Sequence, residues 1–392
     1  VGELMQHDSR NISMLMDFYE MTMAHGYFTK QEKMDRVAFD VFFRRNPDKG
    51  GFAIFGGLEQ IVEYILNLHF DERDIAYLRD QGIFSDEFLD YLKDFSFKGD
   101  VYAFPEGSII YPNEPVITIV APLIDAQIVE TAVLTMMNHQ SLIATKANRI
   151  VRAADGRVVA DFGARRAHNV DAAVYGARAA YIGGVASTAT VLAGQQFGIP
   201  VSGTMAHSWV MYYGSEYDAF KAYAEVYPDN AVFLVDTYDV LNSGVPNAIQ
   251  VAKDVLEPMG KRLKGIRLDS GDLAYLAKKA RRMLDDAGLE DCKIMASNSL
   301  DEYTIKSLLL QGGPIDIFGV GERLITSKSD PVFGAVYKIA SVEKDGKWEP
   351  RIKISEAVEK ITNPGLKKVY RVYNEKGRAI ADLLTLLREV PD

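Results

Sequence analysis

From residue 157 onward, short apolar runs alternate with stretches whose apolar residues recur at helical spacing. The runs cover 158–162, 199–202, 231–235, 265–268, 293–296 and 315–320; the helical stretches cover 171–181, 187–197, 217–226, 245–263, 272–287 and 301–310. Short continuous apolar runs are the pattern of strands buried on both faces, and most steps suit one strand–helix unit. Units of this kind in series predict a closed parallel barrel or a doubly wound sheet. No Gly-x-Gly-x-x-Gly opens the first unit, which lowers the dinucleotide-binding alternative. The expected fold is therefore an irregular parallel α/β barrel.

The flanks have another texture. Residues 12–29 carry Ile12, Leu15, Met16, Tyr19 and Met23 at helical spacing, a stripe that ordinarily means core packing. Residues 37–45 alternate and then run apolar, ending in Arg44-Arg45 and an Asn-Pro-Asp-Lys-Gly-Gly turn. Three helical patterns follow at 58–70, 71–81 and 85–95, with Asp71 and Ser85 as N-caps. Residues 97–121 read as short strands with tight turns, and 124–153 as one long helix. After about residue 332 the strand–helix rhythm stops, and 332–350 reads as a hairpin closed at Asp345-Gly346. The expectation is a mixed α+β domain built from residues 1–122 and completed by 335–392, around a linking helix and barrel spanning 123–334.

Composition narrows the chemistry. At 392 residues the chain exceeds one simple core, and 48% hydrophobic with 25% charged residues describes an ordinary globular protein. A net charge of −10 argues against a general nucleic-acid binder but permits a local cationic pocket. The single cysteine, Cys292, excludes a disulfide framework and a cysteine-rich zinc site, and fits a cytoplasmic setting. There is no apolar run long enough to span a membrane and no signal pattern.

Almost every apolar run is followed at once by a polar, glycine-containing cluster: DFGARRAH (161–168), SGTMAHS (202–208), VDTYDV (235–240), RLDSGD (267–272), ASNSLDE (296–302) and GVGERLITS (319–327). In a barrel these clusters converge on the rim where active sites lie. The rim then holds the cations Arg165, Arg166 and Arg267. It holds the carboxylates Asp161, Asp236, Asp239, Asp269 and Asp272, and the histidines His168 and His207. Thr204, Ser208, Ser270, Gly271, Ser297, Asn298, Ser299, Gly319 and Gly321 stand before helices, where backbone N–H groups face phosphates. Carboxylates beside such cradles suggest Mg²⁺ held through water, with no direct protein ligand. Phe162 beside a guanidinium suits a flat anion. No P-loop, HExxH, GxSxG or catalytic cysteine signature is present, and a strand lysine for Schiff-base chemistry is offered only by Lys293.

In this order, the clusters DFGARRAH, GTMAHS and RLDSGD, with Asp17-Phe18-Tyr19, FFRRNP (42–47) and the Tyr337-Lys338 strand, resemble the nicotinate phosphoribosyltransferase family. The resemblance implies transfer of 5-phosphoribosyl from phosphoribosyl pyrophosphate (PRPP) to nicotinate in NAD biosynthesis or salvage, in an obligate homo-oligomer, dimer or higher, with shared active sites. It implies that Phe162 stacks on the pyridine and that Tyr19 of a neighbouring subunit covers the other face. Arg165 and Arg267, with Thr204, would take the carboxylate, and Ser187 and Thr188 would lie beside the ring. Asp269, with Ser270 and Gly271, would hold the ribose and stabilise charge at its anomeric carbon. Asn298, Gly319, Gly321 and Glu322 would cradle the 5-phosphate, and Asp239 would join the PRPP contacts. Arg44 of the partner, with Lys338, would neutralise pyrophosphate. His207 would be phosphorylated, coupling ATP as co-substrate to the ligase-like reaction. A carboxylate at 322 would repel a phosphate, so Glu322 is expected to point away and lend only its N–H. The alternatives are a nicotinamide phosphoribosyltransferase, for which GGVAST (183–188) lacks a carboxylate, and a catalytically silent binding relative.

Overall fold

The computed structural model describes residues 10–30, 34–357 and 360–391. The chain divides into two compact units, residues 1–142 with 332–392, and residues 143–331.

In the first unit, five strands form an antiparallel sheet in the order Lys347–Pro350, Val336–Lys344, Arg36–Phe42, Ile117–Pro122, Asp100–Ala103. The late hairpin thus lies beside the early strand, with Asp40 opposite Lys338 in register. The hairpin turns at Asp345-Gly346, both left-handed, as a two-residue hairpin turn requires. Phe39 stacks on Tyr337 at 4.6 Å between ring centres, and the Tyr337 hydroxyl donates to the Ala126 carbonyl at 2.6 Å. The buried Asp40 carboxylate is paired with Lys367 at 2.7 Å and accepts from Thr118 Oγ1 at 2.7 Å. Helix Glu72–Asp80 opens on a full capping box between Asp71 and Asp74, and Ser85 caps helix Asp86–Lys93 by accepting from Phe88 N. Helix Phe18–Lys30 buries Met21 and Ala24, while Phe18, Tyr19 and Met23 stay exposed. The stripe is therefore only partly core.

The second unit is built on six parallel strands: β1 (Val158–Asp161), β2 (Ser187–Thr188), β3 (Val232–Leu234), β4 (Gly265–Leu268), β5 (Lys293–Ser297) and β6 (Ile317–Val320). Their order is β2-β1-β6-β5-β4-β3, and Val201 bridges to Thr188 beyond β2. Successive residues of β1, β4 and β6 are buried without alternation, as their apolar runs predicted. Two expectations need correction. The stretch 187–197 is a two-residue strand followed by helix Val191–Phe197, and the run 199–202 reduces to the single bridge at Val201. Polar Ser-Thr is an unusual strand signal, and neighbours supply the backbone partners: Thr188 N donates to Pro200 O at 3.0 Å and Ser202 N to Thr188 O at 2.9 Å.

Two side-chain hydrogen bonds show how this sheet is shaped. Arg267 Nη1 in β4 donates to Thr204 Oγ1 at 3.0 Å, and His207 Nδ1 meets Thr237 Oγ1, just past β3, at 3.1 Å. Thr204 and His207 follow the bridge at Val201, on the opposite edge. At about 4.8 Å per strand, a flat sheet would hold Val201 and β4 roughly 24 Å apart. The sheet is therefore strongly curled, and its two edges approach at the carboxyl ends of the strands.

Candidate active site

The turn after β1 is fixed from below. The Asp161 carboxylate is fully buried; it accepts from Gly163 N at 2.8 Å and from Thr188 Oγ1 at 2.7 Å, and burial pushes its carboxyl above the usual range. Those bonds set the turn that carries Phe162 and, in the single 3₁₀ turn Ala164–Arg166, Arg165. The ring of Phe162 rests on Gly319 of β6. A Cβ at Gly319 would stand 2.4 Å from Phe162 Cε2, so only glycine leaves room for the ring there. Sequence reasoning assigned Gly319 to a phosphate; in the structure it is the floor under an aromatic ring. Thr188 likewise does not present its hydroxyl to a ligand, being buried and bonded to Asp161. Ser187 Oγ lies 2.7 Å from Ser202 Oγ and is half-buried.

Arg267 is half-buried, and its Nε is enclosed with no hydrogen-bond partner. Burial pulls its guanidinium below the ordinary value; Asp269 and Asp236 oppose this, and the neighbouring Arg165 adds to it. Neither Arg165 nor Arg267 makes an ion pair among the described residues. Two guanidiniums held near each other, neither in an ion pair, form a prepared anion site.

Across the curl, the loops after β3, β4 and β5 are interlocked. Asp236, with a side chain only 1% exposed, accepts from Asp269 N at 2.9 Å and Ser270 Oγ at 2.6 Å through one oxygen. Its other oxygen has no hydrogen-bond partner and faces His207 Nε2 at 4.0 Å. Asp269 accepts from Ser297 Oγ at 2.5 Å and lies 3.8 Å from His207 Nε2. His207, Asp236, Asp269, Arg267 and Thr204 are thus one constellation. Sequence reasoning placed Asp236 on the rim but gave it no role; its run-on position directly after an apolar strand was the available signal. Among the described residues no three His, Cys, Asp or Glu side chains gather for direct metal ligation.

The remaining rim residues differ in availability. Asn298 and Ser299 follow β5 with φ of 77° and 53°, a left-handed pair without glycine. Gly271 also has positive φ, at 81°. Glu322 turns to Lys328, paired at 2.6 Å, which holds its carboxyl below the ordinary range. Asp239 spends both oxygens locally, accepting from Leu241 N, Asn242 N and Asn242 Nδ2, so its predicted PRPP contact would break an N-cap. Arg166 and His168 are exposed. Tyr19, Arg44 and Lys338 belong to the first unit, where the Arg44 guanidinium lies 5.6 Å from the Phe42 ring centre.

A curled parallel sheet whose strand ends assemble paired guanidiniums, a histidine and two aspartates defines an α/β enzyme for anionic substrates. Comparison with known proteins makes the class particular. Residues 14–138 match the model of the nicotinate phosphoribosyltransferase (NAPRTase) N-terminal domain, and 158–375 that of the nicotinate phosphoribosyltransferase (NAPRTase) family. The chain is 50% identical over 367 residues to nicotinate phosphoribosyltransferase of Bacillus subtilis, covering 93% of this chain and 74% of that protein. It is 46% identical over 362 residues to nicotinate phosphoribosyltransferase pncB2 of Mycobacterium tuberculosis, covering 92% and 75%. Human nicotinic acid phosphoribosyltransferase superposes with a TM-score of 0.83 at 30% identity, over 96% of this chain and 82% of that one. Nicotinate-nucleotide pyrophosphorylase of Pyrococcus furiosus superposes with 0.75 at 27% identity, over 97% and 85%. The chain belongs to the nicotinate phosphoribosyltransferase family of enzymes.

Proposed function

We propose that this enzyme joins nicotinate to PRPP, giving nicotinate mononucleotide and pyrophosphate, and that the curled sheet closes into an irregular barrel around the site. The observation that carries this reading is the couple Arg165 and Arg267, neither in an ion pair, on the strand-end rim that also carries Phe162: a flat anion would satisfy both guanidiniums and cover the ring. Nicotinate has that shape and charge, whereas its amide lacks the charge. The partner subunit's Tyr19 would close the other face.

In the transfer, the bond between ribosyl C1 and the pyrophosphate oxygen breaks, and its electron pair leaves with pyrophosphate. The pyridine nitrogen lone pair forms the new bond. No proton moves, so the protein's work is positioning and charge stabilisation. Asp269, held by Ser297, stabilises positive charge at C1 and takes the ribose hydroxyls with Ser270 and Gly271. The left-handed Asn298-Ser299 turn and the Gly321–Glu322 backbone receive the 5-phosphate. The partner subunit's Arg44, with Lys338, neutralises pyrophosphate. The free oxygen of Asp236 and the carboxylate of Asp269 fit a hydrated Mg²⁺, which when bound offsets charge on the leaving pyrophosphate. His207 is the proposed acceptor of the ATP γ-phosphoryl group. Thr237 Oγ1 at Nδ1 and the two aspartates facing Nε2 hold the ring in one orientation.

The test is product formation from nicotinate, PRPP and Mg²⁺, with and without ATP, alongside the same assay with nicotinamide. Nicotinate mononucleotide should form, faster with ATP, and the protein should gain one acid-labile phosphoryl group that His207→Ala abolishes. Equal or better turnover of nicotinamide refutes the assignment of the two arginines.

A further inference from the structure

We infer that Glu216 is a positioning residue for His207, tying the helix that carries His207 to the loop that carries Thr237 and Asp236. The inference rests on the reading of His207 as a phosphoryl acceptor given above. All the residues involved lie in the second unit. Helix His207–Tyr213 opens on His207 itself and runs, through Gly214-Ser215, into helix Glu216–Val226, which opens on Glu216. The two helices are locked together. Trp209 Nε1 donates to the Ala219 carbonyl at 2.9 Å, and its ring meets Tyr223 edge-on at 5.9 Å between centres.

Two hydrogen bonds join this helix pair to the loop after β3. His207 Nδ1 meets Thr237 Oγ1 at 3.1 Å, and Ser243 Oγ donates to Glu216 Oε2. The first contact is exposed on the histidine side, whose side chain is 41% accessible. The second is enclosed: Glu216 is buried, and Asn247 Nδ2 holds Ser243 by donating to its carbonyl at 2.9 Å and its Oγ at 3.3 Å. The loop itself is rigid. Gly244 N donates to Asp239 O at 2.7 Å, and a Cβ on Gly244 would stand 1.8 Å from the Val235 carbonyl oxygen, so the turn lies directly against the end of β3. Asp236 is fixed separately by Asp269 N and Ser270 Oγ. Cutting the tie at Glu216 would therefore release the helix pair and His207, not the aspartates. The other oxygen of Glu216 is enclosed with no hydrogen-bond partner, and burial pushes the carboxyl above the ordinary range. A carboxyl enclosed on such terms costs stability. What it supplies is a second attachment that sets the approach of the imidazole to Asp236 and Asp269, at 4.0 and 3.8 Å.

The experiment compares the full chain with Glu216→Gln, Glu216→Ala and Ser243→Ala. It reads the rate at which label passes from the γ-phosphoryl group of ATP to the protein, the rate of nicotinate mononucleotide formation with and without ATP, and amide hydrogen exchange of the unliganded protein. Glu216→Ala and Ser243→Ala should each slow labelling about tenfold through misplacement of the imidazole, while the rate without ATP stays within about twofold. Glutamine keeps a carbonyl acceptor for Ser243 Oγ, so Glu216→Gln should label within about twofold of wild type. Exchange should quicken in residues 207–213 of both alanine variants and stay unchanged in β4, β5 and β6. A merely structural role would instead lower the rates with and without ATP in parallel. That parallel loss, wild-type labelling in both alanine variants, or unchanged exchange in 207–213 overturns the inference. If Glu216→Ala does not fold, Ser243→Ala decides alone. Absence of label in the wild type refutes the reading of His207 as phosphoryl acceptor, and the exchange rates then decide on Glu216 by themselves.

Discussion

Gly319 shows how much a single missing side chain accomplishes. Its neighbours Phe318 and Val320 are fully buried strand residues, and its own empty face is filled by the ring of Phe162. Adding one methyl group asks for space already taken, but the atom in the way is the edge of a side chain that can rotate, not backbone. Gly319→Ala should therefore displace the ring rather than unfold the sheet, costing about 1–3 kcal/mol of stability. Because Phe162 is proposed to stack on the pyridine, KM for nicotinate should rise several-fold while KM for PRPP changes little. Steady-state kinetics checks this; an unchanged nicotinate KM in a folded variant would remove Phe162 from the ring site. At this scale the sequence was readable for chemistry but not for contact. DFGARRAH announces a ring and two guanidiniums, yet nothing in it says which glycine, 150-odd residues later, provides the floor. Asp236 and Thr188 were equally opaque, because burial decides that one is an unpaired acceptor at the site and the other a strut beneath it.

At the level of elements, the apolar runs located five of the six parallel strands, since burial on both faces leaves continuous hydrophobicity in the sequence. The sixth, Ser187–Thr188, is short and polar and exists because neighbouring backbone supplies its partners. Helix His207–Tyr213 was missed for a related reason: seven residues carry too little periodicity to register. The join between helix Phe18–Lys30 and the first turn of helix Glu130–Ala153, made by Thr131 donating to Glu20, carries a pH dependence. Burial pushes the Glu20 carboxyl up to about 7 from an ordinary 4.5, against the hydrogen bonds from Thr131 and Asp17. A carboxyl raised on folding contributes stability that is fully present below about pH 4.5 and is lost as pH rises through about 7. Glu20→Gln keeps an amide oxygen for the same donors and cannot ionise. Urea unfolding at pH 5 and pH 8 should show the wild type losing more stability across that interval than the variant, by roughly 2–3 kcal/mol. Parallel pH profiles for the two proteins would mean that Glu20 stays ionised in the fold.

For the whole molecule, the curl of the parallel sheet is the feature that joins sequence to function. Polar clusters scattered from residue 161 to 327 become neighbours only because the sheet bends until Arg267 reaches Thr204 and His207 reaches Thr237. The strands were legible, and so was the habit of polar residues to follow them; the bending was not, since it arises from packing between distant elements. The proposal of shared sites makes a quantitative prediction. Tyr19→Ala and Asp269→Ala should each be nearly inactive as pure oligomers. Mixed in equal amounts, unfolded and refolded together, they would form hybrids in half of all dimers. One of the two sites in each hybrid would pair an intact Tyr19 from one subunit with an intact Asp269 from the other, and the second site would lack both. Activity should then recover to about a quarter of wild type, following random assortment in a closed dimer. If both residues of a site came from one protomer, every site in every hybrid would lack one of them, and mixing would restore nothing. The recovered fraction thus reads out directly which subunits complete the pyridine clamp.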